Sequence, residues 1–206
     1  MCVIVYKPLE APLPKEPLLR ICWKRNPDGA GLMWPENGTL HFIKGLMTWE
    51  SFLEAWRSLS GRQDMEQVPI AIHFRVSTSG KVDSQQCHPF PIGAASASLA
   101  LKGRAEAAFM HNGELSQMDA AEGESDTMAF MRSIVRPLCC CNHNCLSDKQ
   151  ALRSIDEGRE ESRFLMMDGR GRTRLFGDWI YDSGLLFSKR SYQPKRRLPA
   201  AVTQPA

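Results

Sequence analysis

Met1-Cys2-Val3-Ile4-Val5-Tyr6 opens the chain, and a thiol directly ahead of an apolar, β-branched run decides how the rest is read. Val, Ile and Tyr suit a pleated, buried surface, so the run is expected to be the first strand. The Pro-rich stretch 8–17 stops it and is expected to be extended, because a residue before proline is pushed out of the helical region. Asn26-Pro27-Asp28-Gly29 is a turn signal. Residues 31–34 and 39–43, joined across Glu36-Asn37-Gly38, read as a hairpin with Asn-Gly at its bend. Thr48 is expected to cap a helix in which Trp49, Phe52, Leu53, Trp56 and Leu59 recur at helical spacing, with Glu50 in its first turn. Residues 69–76 and 107–111 read as buried strands that run into polar residues: Arg75, Ser77 and Thr78 in one, Asn112 and Gly113 in the other. Ser125 is expected to cap a helix carrying Met128, Phe130, Met131, Ile134 and Val135 and ending before Pro137. Ser147 is expected to cap a shorter helix with Leu152 and Ile155, and three short strands follow at 164–167, 173–176 and 185–187. Strands joined by hairpin-length links, with helices between groups of them, predict an α+β fold with largely antiparallel sheets.

A length of 206 residues suits one domain with a tail. Hydrophobic content of 43% and charged content of 24% sit near the globular average, which argues against disorder and against a fibrous or membrane class. The net charge of +3 is small, and Lys195-Arg196-Arg197 falls in a Pro- and Ala-rich C-terminus, so no nucleic-acid partner is implied. The N-terminus lacks a basic flank and a long apolar stretch, and no window approaches the ~18 apolar residues of a membrane span. The expectation is a cytoplasmic protein with no membrane partner. Its seven cysteines are then expected to be thiols rather than a disulfide framework.

Cys2 is the first candidate for chemistry. A small residue after Met1 lets an aminopeptidase remove the methionine and leaves cysteine with a free α-amine. A thiol of pKa about 8.5 and an α-amine of about 7.7–8.0 then share one residue, so the amine can take the thiol proton and later return it to a leaving group. The plainer alternative is a buried strand cysteine.

Four downstream segments bear on that choice: His73-Phe74-Arg75-Val76-Ser77-Thr78-Ser79-Gly80, His88-Pro89, Met110-His111-Asn112-Gly113-Glu114-Leu115 and Gly123-Glu124-Ser125-Asp126-Thr127. With Met1-Cys2, Asp28-Gly29-Ala30-Gly31 and the closing segment 184–192, their order resembles the glutaminase domain of class II glutamine amidotransferases over roughly residues 2–192. Val76, Ser79 and Lys189 stand where relatives of one branch, glucosamine-6-phosphate synthase, carry Trp, His and Asn. The resemblance implies a four-layer αββα sandwich of the N-terminal-nucleophile hydrolase type, a glutaminase domain over residues 1–192 and a flexible basic tail over 193–206. It implies attack of Cys2 on the side-chain amide of L-glutamine, release of ammonia and hydrolysis of a glutamyl thioester, with no metal or cofactor. The ammonia would pass to a synthase acting in trans, or the chain would act alone as an amidase on glutamine or on a γ-glutamyl conjugate. A binding module that keeps the fold without turnover is a further alternative.

Each role follows from the chemistry of glutamine. Arg75 would hold the α-carboxylate bidentately, with Thr78 and Ser79 adding hydrogen bonds. Asp126 would accept the α-ammonium; otherwise it is a first-turn acid that complements a helix N-terminus. The Asn112 amide and the Gly113 N–H, which also borders the substrate, would form the oxyanion hole, their alternative being an ordinary Asn-Gly turn. His88 is left outside the catalytic set as a structural hydrogen-bonding residue. The run Cys139-Cys140-Cys141-Asn142-His143-Asn144-Cys145 holds soft ligands but no second pair at a distance, so a connecting loop is expected in preference to zinc.

Overall fold

The apolar run at the N-terminus is a strand, β1 (Val3–Lys7), buried along its whole length and placed in the middle of a sheet. The computed structural model that establishes this describes residues 2–77, 82–93, 99–139, 142 and 144–193. Thr78, Ser79 and the tail beyond residue 193 therefore lie outside the described residues.

Among the described residues ten further strands follow: β2 (Ala30–Glu36), β3 (Thr39–Leu46), β4 (Ile70–Phe74), β5 (Phe90–Ile92), β6 (Lys102–Ala105), β7 (Ala107–Asn112), β8 (Arg163–Asp168), β9 (Thr173–Phe176), β10 (Ile180–Asp182) and β11 (Leu185–Phe187). Among the described residues they form two antiparallel sheets, ordered β10-β11-β1-β4-β2-β3-β6 and β5-β7-β8-β9. The fold is α+β with antiparallel sheets, as the sequence predicts.

Side chains alternate across each strand, and the alternation sorts the core. Val3 and Val5 of β1 join an outer cluster with Trp23, Trp49, Phe52 and Trp56. Ile4 and Tyr6 point the other way and pack with Met110 of β7 and Leu165 and Met167 of β8. The two sheets thus face each other across an apolar layer. Phe109, Phe164 and Met166 on the far side of the second sheet pack against Phe130, Met131 and Ile155.

Among the described residues five α-helices supply the outer faces: α1 (Glu16–Arg25), α2 (Trp49–Ser60), α3 (Asp126–Phe130), α4 (Arg136–Cys139) and α5 (Lys149–Glu157), with a π-helical turn at Met131–Val135 between α3 and α4. In α2 the Thr48 hydroxyl accepts from Ser51 N at 3.1 Å and forms a capping box. Its buried Trp49, Phe52, Trp56 and Leu59 each contribute about 1.5–3 kcal/mol by leaving water.

Several expectations are corrected. The Pro-rich stretch does not stay extended to its end, because Pro17 sits in the first turn of α1, where its missing N–H costs no hydrogen bond. The helix beginning after Ser125 does not end before Pro137. The wider π turn shifts the hydrogen-bond ladder ahead of the proline, and α4 contains Pro137. The cap of α5 is Asp148 rather than Ser147, its carboxylate accepting from Gln150 N and Ala151 N at 3.0 and 3.1 Å. Short strands β5, β6 and β10 are additional. Finally, Cys139 and Cys145 are joined in a disulfide, against the expectation of thiols throughout, since the turn after α4 returns the chain to a Cα separation of 5.1 Å, within bridging range. Cys140, Cys141 and His143 lie outside the described residues.

Two glycines set the close approaches around the strand ends. A Cβ on Gly31 in β2 would stand 2.0 Å from the His88 carbonyl oxygen and 2.8 Å from that of Ile43. Gly31→Ala is therefore expected to push the His88 segment off the sheet and destabilise the fold by about 1–3 kcal/mol, read as a lowered urea midpoint. At Gly113, with φ of 155°, an added Cβ would lie 2.8 Å from the Ser162 Cα.

Candidate active site

Antiparallel pairing brings the polar strand ends together. Val3 is opposite Phe74, so Cys2 lies beside the residues that follow β4. The Cys2 sulfur accepts from Val76 N at 3.4 Å and donates to Val76 O at 3.6 Å. Burial pushes the thiol up, opposed by the Val76 N–H, the positive N-terminus and Arg75. A thiol in that setting does not ionise unaided at neutral pH, so its use as a nucleophile requires a base nearby.

Arg75 is held by the turn read before β2. Its N–H donates to Gly29 O at 2.8 Å, its carbonyl accepts from Asp28 N at 3.0 Å, and the Asp28 carboxylate accepts from Ser77 N at 2.8 Å. Its guanidinium Nη2 donates to Gln86 Oε1 at 3.0 Å and to Ser77 Oγ at 3.3 Å. The neighbouring Gln85 carbonyl accepts from buried Lys44 Nζ at 2.8 Å, and that ammonium lies 4.2 Å from the centre of the Phe90 ring. Burial pulls the Lys44 ammonium down to about 8, against the opposing pull of Cys87 and Asp83.

Asp126 opens α3 after the Ser125 cap. One carboxylate oxygen accepts from Leu115 N at 3.0 Å and the other from Thr127 N at 2.6 Å. It is thus both a first-turn acid and a group held in a fixed direction.

Asn112 ends β7, and its Nδ2 donates to Ser188 Oγ at 2.9 Å; the same hydroxyl accepts from Ile4 N at 2.8 Å. Ser188 thereby ties the end of the second sheet to β1 in the first. The Asn112 side chain is buried, and its Oδ1 has no hydrogen-bond partner among the described residues.

Three histidines form the wall between these elements. The His111 carbonyl can only accept, so His73 Nε2 at 3.0 Å carries its proton and donates to it. Ser162 Oγ donates to Glu114 O at 3.2 Å, which makes it the acceptor from His111 Nε2 at 2.9 Å. Thr127 Oγ1 lies 2.7 Å from His111 Nδ1 and 3.3 Å from Asp126 Oδ1. Burial holds His73 down to about 3 and His111 to about 4, with Asp126 and Glu160 opposing the latter. His88 stacks on His73 with ring centres 4.1 Å apart, and neither of its ring nitrogens has a partner among the described residues. Burial, and then the neighbouring His73, His111, Lys44 and Arg75, hold it well below the ordinary histidine range.

One cavity of about 670 Å³ collects these groups: Cys2, Arg75, His88, His111, Gly113 and Asp126 all line it. Asn112 is one residue behind the lining, with its backbone leading into Gly113. His88 is the residue whose place the sequence did not disclose; the only signal was its position beside Pro89 in a motif of the resemblance. Among the described residues no group of three His, Cys, Asp or Glu side chains is placed to hold a metal ion, and no helix is long and apolar enough to cross a membrane. Compared with protein-family models and with curated proteins, the chain finds no match in either.

Proposed function

We propose that the chain is an amidohydrolase of the class II glutamine amidotransferase type, in which Cys2, freed of Met1, attacks the side-chain amide of L-glutamine. The observation that carries this reading is the single cavity lined by Cys2, Arg75, Gly113 and Asp126, a thiol, a cation, a backbone donor and an anion drawn from four separate segments. Glutamine presents a matching amide, carboxylate, oxyanion-to-be and ammonium. Two facing antiparallel sheets with helices outside each are in keeping with the αββα sandwich of N-terminal-nucleophile hydrolases.

In this reading the α-amine of Cys2 takes the thiol proton as sulfur attacks the amide carbon. The Gly113 N–H stabilises the oxyanion, joined by the second Nδ2 proton of Asn112, the first being held by Ser188 Oγ. Collapse expels ammonia with the returned proton, and water then cleaves the thioester to glutamate and restores the thiol. Arg75 and Asp126 hold the substrate head so that the amide meets sulfur in reacting geometry. The ammonia is delivered to a synthase in trans or released.

Asn112→Ala is expected to lower kcat by about 10²–10³-fold with little change in KM, since an oxyanion donor acts on charge that develops only in the transition state. Steady-state kinetics on glutamine reads this split. The proposal itself is tested by glutamate and ammonia release from L-glutamine by chain whose intact mass shows Met1 removed. Equimolar release supports it; no release from glutamine or any γ-glutamyl amide overturns it in favour of a binding module.

A further inference from the structure

The cavity that the described residues line exceeds what glutamine needs, and its outer part has a definite chemistry. This inference rests on the amidohydrolase reading above. At about 670 Å³ the cavity falls within the roughly 300–1,000 Å³ of sites that enclose drug-sized ligands, and an amino-acid amide leaves much of that volume unoccupied.

Burial divides the lining in two. Arg75, His88, His111 and Thr127 are buried, whereas Glu114, Ser116 and Glu122 are exposed. The outer half is acidic. Glu124 there pairs with Arg132 at 3.0 Å, and Asp83 caps Gln85 N at 2.8 Å and feels the charge of Lys44. Glu114 and Glu122 form no ion pair among the described residues. Once a glutamyl head has neutralised Arg75 and Asp126, these two carboxylates set the sign of the remaining space. His88, only 5% exposed, closes the inner end of the cavity, with both ring nitrogens buried and without a partner among the described residues.

We propose that the preferred substrates are γ-glutamyl amides of cationic amines, with the glutamyl head on Arg75 and Asp126 and the distal positive charge beside Glu114 and Glu122. The Cys2 sulfur bonds to the γ-carbonyl carbon and the C–N bond breaks. The amine leaves with the proton held by the Cys2 α-amine, and water then splits the thioester to glutamate and free thiol. Two partly exposed carboxylates favour a cation over a neutral group of the same length by about tenfold at low salt. At about 1 M salt, where the screening length falls to about 3 Å, the preference shrinks.

The test compares kcat/KM of the full chain for the mono-γ-glutamyl amides of 1,4-diaminobutane, butylamine and 4-aminobutyrate, with L-glutamine alongside. The expected order is diamine above butylamine by about tenfold, with the anionic amide lowest, and the ratio collapses in high salt and in a Glu114→Gln, Glu122→Gln double variant. Hydrolysis of glutamine with no advantage for the diamine overturns this inference and leaves the amidohydrolase reading intact. A diamine preference that survives the double variant overturns the assignment to Glu114 and Glu122. Failure on all four substrates with Met1 removed overturns both readings.

Discussion

Replacing Cys2 by alanine is expected to abolish amide hydrolysis, a fall of about 10⁴-fold or more on the scale of nucleophile deletions, while glutamine still binds. Burial keeps the thiol protonated, so sulfur and base form one unit, and either loss is sufficient. An added residue ahead of Cys2 that aminopeptidase cannot remove is expected to be nearly as damaging, since it leaves the sulfur and blocks the amine. Neither change touches Arg75, Gly113 or Asp126, so calorimetry should still detect glutamine in both. The structural cost is small: among the described residues Cys2 exchanges hydrogen bonds with the Val76 backbone alone. Loss of turnover together with loss of folding would instead point to a buried strand cysteine.

Acid is expected to unfold the protein well above the usual carboxylate range. His73, His88 and His111 are held neutral in the folded state, with His73 at about 3 and His111 at about 4, whereas an unfolded chain protonates them near about 6.5. Below that value the unfolded state binds more protons, so stability present at neutral pH is lost as pH falls toward the folded values. With three suppressed charges the slope approaches about 4 kcal/mol per pH unit, a loss of about 10 kcal/mol by pH 4 against a typical stability of 5–15 kcal/mol. Glu36, Glu124 and Glu160, held low by hydrogen bonds, add to the loss only below the ordinary glutamate value of about 4.3. Urea midpoints at pH 7, 6 and 5 read the effect, and His88→Gln should reduce the slope by about a third. A flat profile between pH 7 and 5 would mean that these rings accept protons in the folded state.

Local chemistry decided which elements could be read from sequence. The hairpin at Asn37-Gly38 was legible because both residues take positive φ, 51° and 77°, which few other pairs tolerate. Helix α2 announced itself through Thr48 and a row of aromatics. Helix α1 did not, because proline marks breaks more often than first turns, and its apolar side reduces to Leu19, Cys22 and Trp23. Strand β6, with Lys102 and Arg104 outward and little apolar alternation, forms through pairing with β3, which no local signal encodes. In the site, Cys2, Arg75, Gly113 and Asp126 stood out as chemistry at strand and helix ends. The histidine wall did not, because its tautomers and stacking depend on contacts between segments distant in sequence.

The most direct measurement of the central claim is covalent capture with a diazoketone analogue of glutamine, followed by peptide mass mapping. One adduct per chain is expected, on a Cys2 that has lost Met1, formed at a rate that glutamine suppresses and Arg75→Lys slows. An adduct on Cys22, Cys87 or another residue, or labelling of Cys2 indifferent to glutamine, would contradict it.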